Sequence, residues 1–171
     1  SEMCIRDSTL TAALATIREN NDIQFIWQTG KYYYPQVTEA VRAAGELPNL
    51  YVTDFIKDMA AAYAASDLVI SRAGAGSISE FCLLHKPVVL VPSPNVAEDH
   101  QTKNALALVD KQAAIYVKDS EAEAKLMDVA LNTVADDRKL KELSENIAKL
   151  ALPDSARIIA QEVIKLAEAE N

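Results

Sequence analysis

The sequence has little with which to hold a metal ion or a cross-link. Its only cysteines, Cys4 and Cys82, stand far apart, and its only histidines are His85 and His100. Cysteines so separated, without other metal-ligand spacing, give neither a disulfide framework nor a zinc site. With two histidines to add, no His/Cys metal cluster is expected, and Cys82 reads as a small buried residue. Positive charge is also short: 17 Lys and Arg against 25 Asp and Glu leave a formal net charge of −8. A nucleic-acid surface needs clustered cations to neutralise phosphates, so no nucleic-acid partner is expected and any anionic ligand must be bound locally. No apolar run approaches the roughly 20 residues of a membrane-spanning helix, and the start does not read as a signal peptide. The expectation is a soluble, cytoplasmic chain. Internal repeats and low-complexity linkers are missing too. What is present is 171 residues, half of them hydrophobic, enough for one domain around one substantial core.

Apolar runs alternate with helical spacing. Ala12 to Asn20 reads as the end of an amphipathic helix, and Ile23 to Trp27 as a strand that stops before Gly30. A helix is expected from about Pro35 to Ala44, closed by Gly45, then a strand from Leu50 to Val52 and a short Ala-rich helix from Asp58 to Ala65. Leu68-Val69-Ile70 and Val88 to Val91 read as strands, with a helix from Ser77 to Leu84 between them. The β-branched run at Val88 is of the kind buried on both faces of a parallel sheet. Gln101 to Lys111 returns to helix, Ala114 to Val117 is a last strand, and the remainder is helical with breaks at Asp136-Asp137 and Pro153-Asp154, where an aspartate or serine can cap the next helix. This alternation predicts a doubly wound α/β fold with a parallel sheet, whose ligand lies at the carboxyl ends of the strands. The loops after Ile70 and Val91 then share one edge. Residues Ser1 to Asp7 have neither period, and a doubly wound half-domain would open with an apolar strand and a Gly-rich turn. Residues 1–7 are therefore expected to be a non-native or truncated start, and 8–171 the domain.

The strand–turn–helix stretch Ser71-Arg72-Ala73-Gly74-Ala75-Gly76-Ser77-Ile78-Ser79-Glu80 carries the chemistry. Such a turn aims unpaired backbone N–H groups and the positive end of a helix dipole at one spot, which suits a phosphate. Gly74 and Gly76 let a ligand approach the backbone, and Ser77 can cap the helix or donate to a phosphate oxygen. No lysine follows, so the turn is not a Walker P-loop. An ordinary tight connection with a serine cap would use the same residues. Glu80, three residues after Ser77, suits a capping box, or the acceptance of hydrogen bonds from two ribose hydroxyls. The long loop from Pro92 to Asn104 places Gln101 and Asn104 three apart on one face at a helix start, where amides suit sugar hydroxyls. Both are equally compatible with solvated polar positions, and His100 with an ordinary helix-start histidine.

Three segments, Val52 to Tyr63, Asp67 to Glu80 and His100 to Ala105, together and in this order closely resemble the carboxyl-terminal domain of the MurG family of bacterial N-acetylglucosaminyltransferases. The resemblance covers about residues 8 to 170. It implies the Rossmann-like carboxyl-terminal half of a GT-B glycosyltransferase. It further implies that Ile56 meets a uracil ring chiefly through its backbone, and that Ala75, Gly76 and Ser77 lie against the diphosphate and sugar, with Ile78 and Ser79 in the same turn. Glu80 would hold the ribose hydroxyls and Gln101 with Asn104 the N-acetylglucosamine hydroxyls, with His100 adjacent. An isoleucine after a strand is otherwise usually core.

The reaction so implied transfers N-acetylglucosamine from UDP-N-acetylglucosamine, with inversion, to undecaprenyl-diphospho-muramoyl-pentapeptide (lipid I), giving lipid II. The amino-terminal domain that in this family binds the acceptor, supplies the base and touches the membrane is expected to have no counterpart here. No catalytic residue is therefore assigned to this chain, which is expected to be inactive alone while keeping weak donor binding. The full-length enzyme would be peripheral on the cytoplasmic face of the inner membrane. Neither a cofactor nor a metal is expected, because backbone N–H groups and the helix dipole at Gly76-Ser77 would stabilise the leaving diphosphate. A UDP-N-acetylglucosamine 2-epimerase or another two-domain UDP-sugar enzyme shares this architecture. A non-catalytic nucleotide-sugar-binding subunit is a further reading.

Overall fold

In the computed structural model the described residues are 7–94 and 99–169. Helices and parallel strands alternate: α1 (Asp7–Glu19), β1 (Phe25–Gln28), α2 (Gly30–Ala44), β2 (Leu50–Thr53), α3 (Met59–Ala65), β3 (Val69–Ser71), α4 (Ala75–Leu84), β4 (Val88–Leu90), α5 (His100–Val109) and β5 (Ile115–Tyr116), then α6 (Asp119–Val134), α7 (Asp137–Ala148) and α8 (Ser155–Ala169). The expected order of elements is therefore present. Residues 1–6, most of the expected non-native start, and 95–98 of the long loop lie outside the described residues.

Every ladder is parallel. β1 pairs with β2 in the register Phe25 to Leu50 through Gln28 to Thr53. β3 pairs with β4, Val69 opposite Val88, and β4 with β5, Val89 opposite Ile115. Among the described residues these ladders form two sheets, of two and three strands. β1 and β3 thus each have one edge without a ladder partner. Ile26 and Ile70, in the middle of β1 and β3, are 47% and 41% exposed. β4, flanked on both sides, is fully buried, as its β-branched run predicts.

Leu14 and Ile17 of α1 and Val37 of α2 cover one face of β1 and β2, packing on Phe25, Trp27, Leu50 and Val52. Phe81 and Cys82 of α4, Ala105 and Leu108 of α5 and Ile147 of α7 cover Val88 and Leu90. Val89 and Val91 meet Leu126 of α6 on the opposite face. Cys82 is buried as read, and burial raises its thiol pKa. A buried Asn49 amide donates to the carbonyls of Ile17 at 2.9 Å, Asn20 at 3.0 Å and Ile23 at 3.1 Å, joining the end of α1 to the start of β2.

Five helix starts differ from expectation, α3 opening at Met59 after Asp58 as its cap and α6 at Asp119, two residues before the expected Glu121. α2 opens at Gly30, not Pro35; Gly30 takes φ 76°, which glycine alone adopts without a Cβ penalty, and Pro35 sits one turn inside the helix at the cost of one intrahelical bond. α4 opens at Ala75, not Ser77, after Gly74 in extended conformation. α5 opens at His100, one residue before Gln101. The expected aspartate cap at the α6–α7 break is present, Asp136 accepting from the N–H of Arg138 and Lys139. α8 leaves Ile158, Ile159, Val163, Ile164 and Leu166 exposed.

Candidate functional site

The loop carrying Ile56 follows the carboxyl end of β2, the Gly74–Ser77 turn that of β3 and Gln101 the loop after β4; right-handed crossovers set such strand ends on one edge of a parallel sheet. After β2 the chain forms a tight turn. The Thr53 hydroxyl donates to the Phe55 carbonyl at 3.1 Å, the Ile56 N–H donates to Gln28 Oε1 at 2.9 Å, and Asp58 caps α3 by accepting from Ala61 N–H at 2.9 Å. This turn borders a cleft of about 580 Å³ lined by Ile26, Tyr51, Phe55, Ile56 and Ala62, among others. Tyr51 and Phe55 are 63% and 62% exposed, so two aromatic faces are open to a planar ligand. Ile56 is half-buried and belongs to none of the three core clusters, so the reading of Ile56 as simple core does not hold.

Beyond α3 lies the start of α4. The first intrahelical bond runs from Ile78 N–H to the Gly74 carbonyl at 3.0 Å. The N–H groups of Ala75, Gly76 and Ser77 precede it, and no side chain caps them. They and the positive end of the helix dipole, equivalent to roughly half a charge, face the strand edge. Ser77 is therefore not the N-cap; it stands third in the helix, and its N–H belongs to the uncapped set. That Gly74 caps instead follows from its extended backbone (φ −70°, ψ 141°), the Ncap conformation. A Cβ built on Gly74 or Gly76 meets no atom within 4 Å, so the space over this turn is open. Ala75 and Gly76 are exposed and Ser77 is half-buried. Ile78 turns its side chain onto the core under α4, leaving its backbone for the turn, and the Ser79 hydroxyl donates to the Ala75 carbonyl at 3.0 Å.

Glu80 is exposed on the first turns of α4, and its carboxylate accepts from Tyr63 Oη at 3.2 Å. The capping-box role is thereby removed, because the cap lies at Gly74 and Glu80 is six residues on. Tyr63 follows Ala62 of the cleft, so this bond joins the cleft to α4. Burial, then the Glu80 hydrogen bond and charge, push the Tyr63 phenol up to about 12.

The amides of α5 are engaged with the same edge. Gln101 is buried and its Oε1 accepts from Ser93 N–H at 2.9 Å, while Asn104 Nδ2 donates to the Ala73 carbonyl at 3.2 Å. Gln101 is thus no solvated surface residue. The pair clamps α5 to the ends of β3 and β4, and Gln101 Nε2 and Asn104 Oδ1 remain as the groups that could meet a ligand. His100 is exposed at the helix start. No group of three His, Cys, Asp or Glu that could hold a metal ion occurs among the described residues.

Three residues with work at this edge carry no assignment from sequence reasoning. Gln28 holds Ile56, and Tyr63 holds Glu80. Arg72 donates to the carbonyls of Val91 at 3.0 Å and Pro92 at 3.2 Å and pairs with Asp119, tying the β3 and β4 loops to the start of α6. A polar residue at a strand's carboxyl end was the available signal for Gln28.

The parallel strands, the flanking helices and the loops gathered at one sheet edge make this a doubly wound α/β domain of the kind that forms half of a GT-B glycosyltransferase. Residues 7–159 match the model of the glycosyltransferase family 28 C-terminal domain, and the chain belongs to that family. A Bacteroides thetaiotaomicron UDP-N-acetylglucosamine–N-acetylmuramyl-(pentapeptide) pyrophosphoryl-undecaprenol N-acetylglucosamine transferase is 98% identical over 96% of this chain and 44% of its own length. The protein of the same description from Bacteroides fragilis is 78% identical over 95% of this chain and 43% of its own. The crystal structure of Acinetobacter baumannii MurG superposes with a TM-score of 0.77 at 26% identity, covering 93% of this chain and 46% of that one. The chain thus spans less than half the length of the relatives it matches.

Proposed function

We propose that this chain forms the donor side of an N-acetylglucosaminyltransferase that acts on UDP-N-acetylglucosamine. The observation that carries the reading is the combination of an open cleft at Ile56, the uncapped N–H groups of Ala75, Gly76 and Ser77, and a Glu80 carboxylate bonded to Tyr63 of the helix beside that cleft. A uridine at the cleft sets its ribose toward Glu80 and its diphosphate toward α4. Gln101 Nε2 and Asn104 Oδ1 then face the sugar. Near-identity to the Bacteroides transferase supports the muramoyl-pentapeptide lipid as acceptor.

The reaction is a displacement at the anomeric carbon by the acceptor hydroxyl, with UDP leaving and inversion at that carbon. Charge grows on the departing diphosphate. The α4 amides and dipole are already aimed there, so they stabilise it without reorganising. This chain contributes binding and leaving-group stabilisation. Acceptor, base and peripheral contact with the cytoplasmic membrane face belong to the part of the relatives that this chain does not match.

Calorimetric titration of the chain with UDP-N-acetylglucosamine tests the reading. Saturable heat at one site is expected, and no heat at millimolar ligand overturns it. Turnover of lipid I by the chain alone would contradict the division of roles.

A further inference from the structure

Tyr63 runs from the core to the surface. It is half-buried on α3 and packs against the cluster under α4, where its ring meets the buried Phe81 ring edge to face, with centroids 5.7 Å apart and planes at 85°. Phe81 is the residue after Glu80, so the tyrosine ring is anchored beside the carboxylate that its hydroxyl reaches. Tyr63 Oη donates to Glu80 Oε2 at 3.2 Å. With its phenol pushed up to about 12, Tyr63 keeps its proton and remains a donor at neutral pH. Glu80 itself is exposed, and an unheld glutamate on a helix surface samples several rotamers. The Tyr63 bond favours one of them, and both carboxylate oxygens keep lone pairs for further donors.

We propose, resting on the donor-binding reading above, that Tyr63 is a positioning residue that makes the Glu80 carboxylate select a ribose over a 2′-deoxyribose. A ribose offers two adjacent hydroxyls, and both can donate to one carboxylate only when it is turned squarely toward the diol. A carboxylate already held by the Tyr63 hydroxyl meets that demand with less rotamer freedom left to lose. A 2′-deoxyribose offers one hydroxyl, which a freely rotating carboxylate can meet in more than one arrangement. Removing the Tyr63 hydroxyl therefore costs the diol more than the single hydroxyl, and the tyrosine acts entirely through Glu80.

Calorimetric titration with UDP and with 2′-deoxy-UDP tests this in the unaltered chain, in Tyr63→Phe, in Glu80→Ala and in the double variant. Tyr63→Phe keeps the ring against Phe81, and the ratio of the two affinities does not respond to a general loss of folded protein, because both ligands meet the same folded fraction. The unaltered chain is expected to prefer UDP by about tenfold or more, the worth of one hydrogen bond to a charged group. Glu80→Ala is expected to remove most of that preference. Tyr63→Phe is expected to lower it about threefold, which lies within the rotamer entropy of one glutamate side chain. Adding Tyr63→Phe to Glu80→Ala is expected to change the ratio no further, as holds for two residues that act through one contact. A tyrosine with a merely structural role weakens both ligands alike. No preference in the unaltered chain, an unchanged ratio in Tyr63→Phe, or an equal further drop in the Glu80→Ala background each overturns the positioning role, while intact UDP binding leaves the donor-site reading standing. Failure of the unaltered chain to bind UDP at all overturns both.

Discussion

Tyr63 Oη donates to Glu80 Oε2 at 3.2 Å, joining the helix that borders the cleft to the helix whose amino end faces the strand edge. A carboxylate held this way is oriented before any ligand arrives, and a ribose diol can share it because a carboxylate accepts at both oxygens. Glu80→Ala is expected to weaken UDP-N-acetylglucosamine binding by about 1 to 3 kcal/mol, as the loss of charged hydrogen bonds does. Tyr63→Phe leaves the carboxylate but frees it, so its penalty in binding is smaller. Calorimetric titration of both variants checks the order, and a Tyr63→Phe loss exceeding that of Glu80→Ala would reverse the assignment.

The same tyrosine predicts a pH dependence. Its phenol is raised from 10.0 to about 12, so the folded state favours the neutral form. The stabilisation is fully present below pH 10 and is lost as pH rises from 10 toward 12. Ultraviolet titration is expected to show one of the six tyrosines ionising late, and Tyr63→Phe to remove that step. A variant that instead loses a step near 10 contradicts the assignment.

Gly76 separates stability from binding. A Cβ there meets nothing within 4 Å, and glycine in a helix costs roughly 0.5 to 1 kcal/mol relative to alanine. Gly76→Ala is therefore expected to raise the urea midpoint slightly. The added methyl stands in the open space over the uncapped amides, so donor affinity is expected to fall. Stabilisation with unchanged affinity would show that the diphosphate does not approach this turn.

Arg72 is a fastener of the same edge. Its side chain is 13% exposed and joins Asp119 and the carbonyls of Val91 and Pro92. Arg72→Met leaves these acceptors without their donor at a cost of roughly 1.5 to 3 kcal/mol. Urea unfolding checks this, and a loss under about 0.5 kcal/mol would show the contacts to be incidental.

Much of this was legible in the residues. The apolar run at Val88 announced a strand buried on both faces, and Gly74 with Gly76 announced the turn at the sheet edge. Helix starts were less legible. Pro35 and Ser77 are good first-turn and capping residues, yet Gly30 and Gly74 begin the helices because backbone conformation at the strand ends decides where winding can start. The roles of Gln28, Tyr63 and Arg72 depend on which strands and helices become neighbours. Gln28 reaches Ile56 only because β1 and β2 pair in the register that sets Gln28 opposite Thr53. The engagement of Gln101 with Ser93 is equally a product of tertiary packing, and spacing along a helix does not reveal it.

The central claim is that one ligand spans the edge from Ile56 to the start of α4. Amide-resolved NMR of the chain during titration with UDP-N-acetylglucosamine tests it most directly. The N–H signals of Ile56, Ala75, Gly76 and Ser77 are predicted to shift together along one saturation curve, while those of α8 stay in place. Shifts confined to other residues, or none at millimolar ligand, would contradict it.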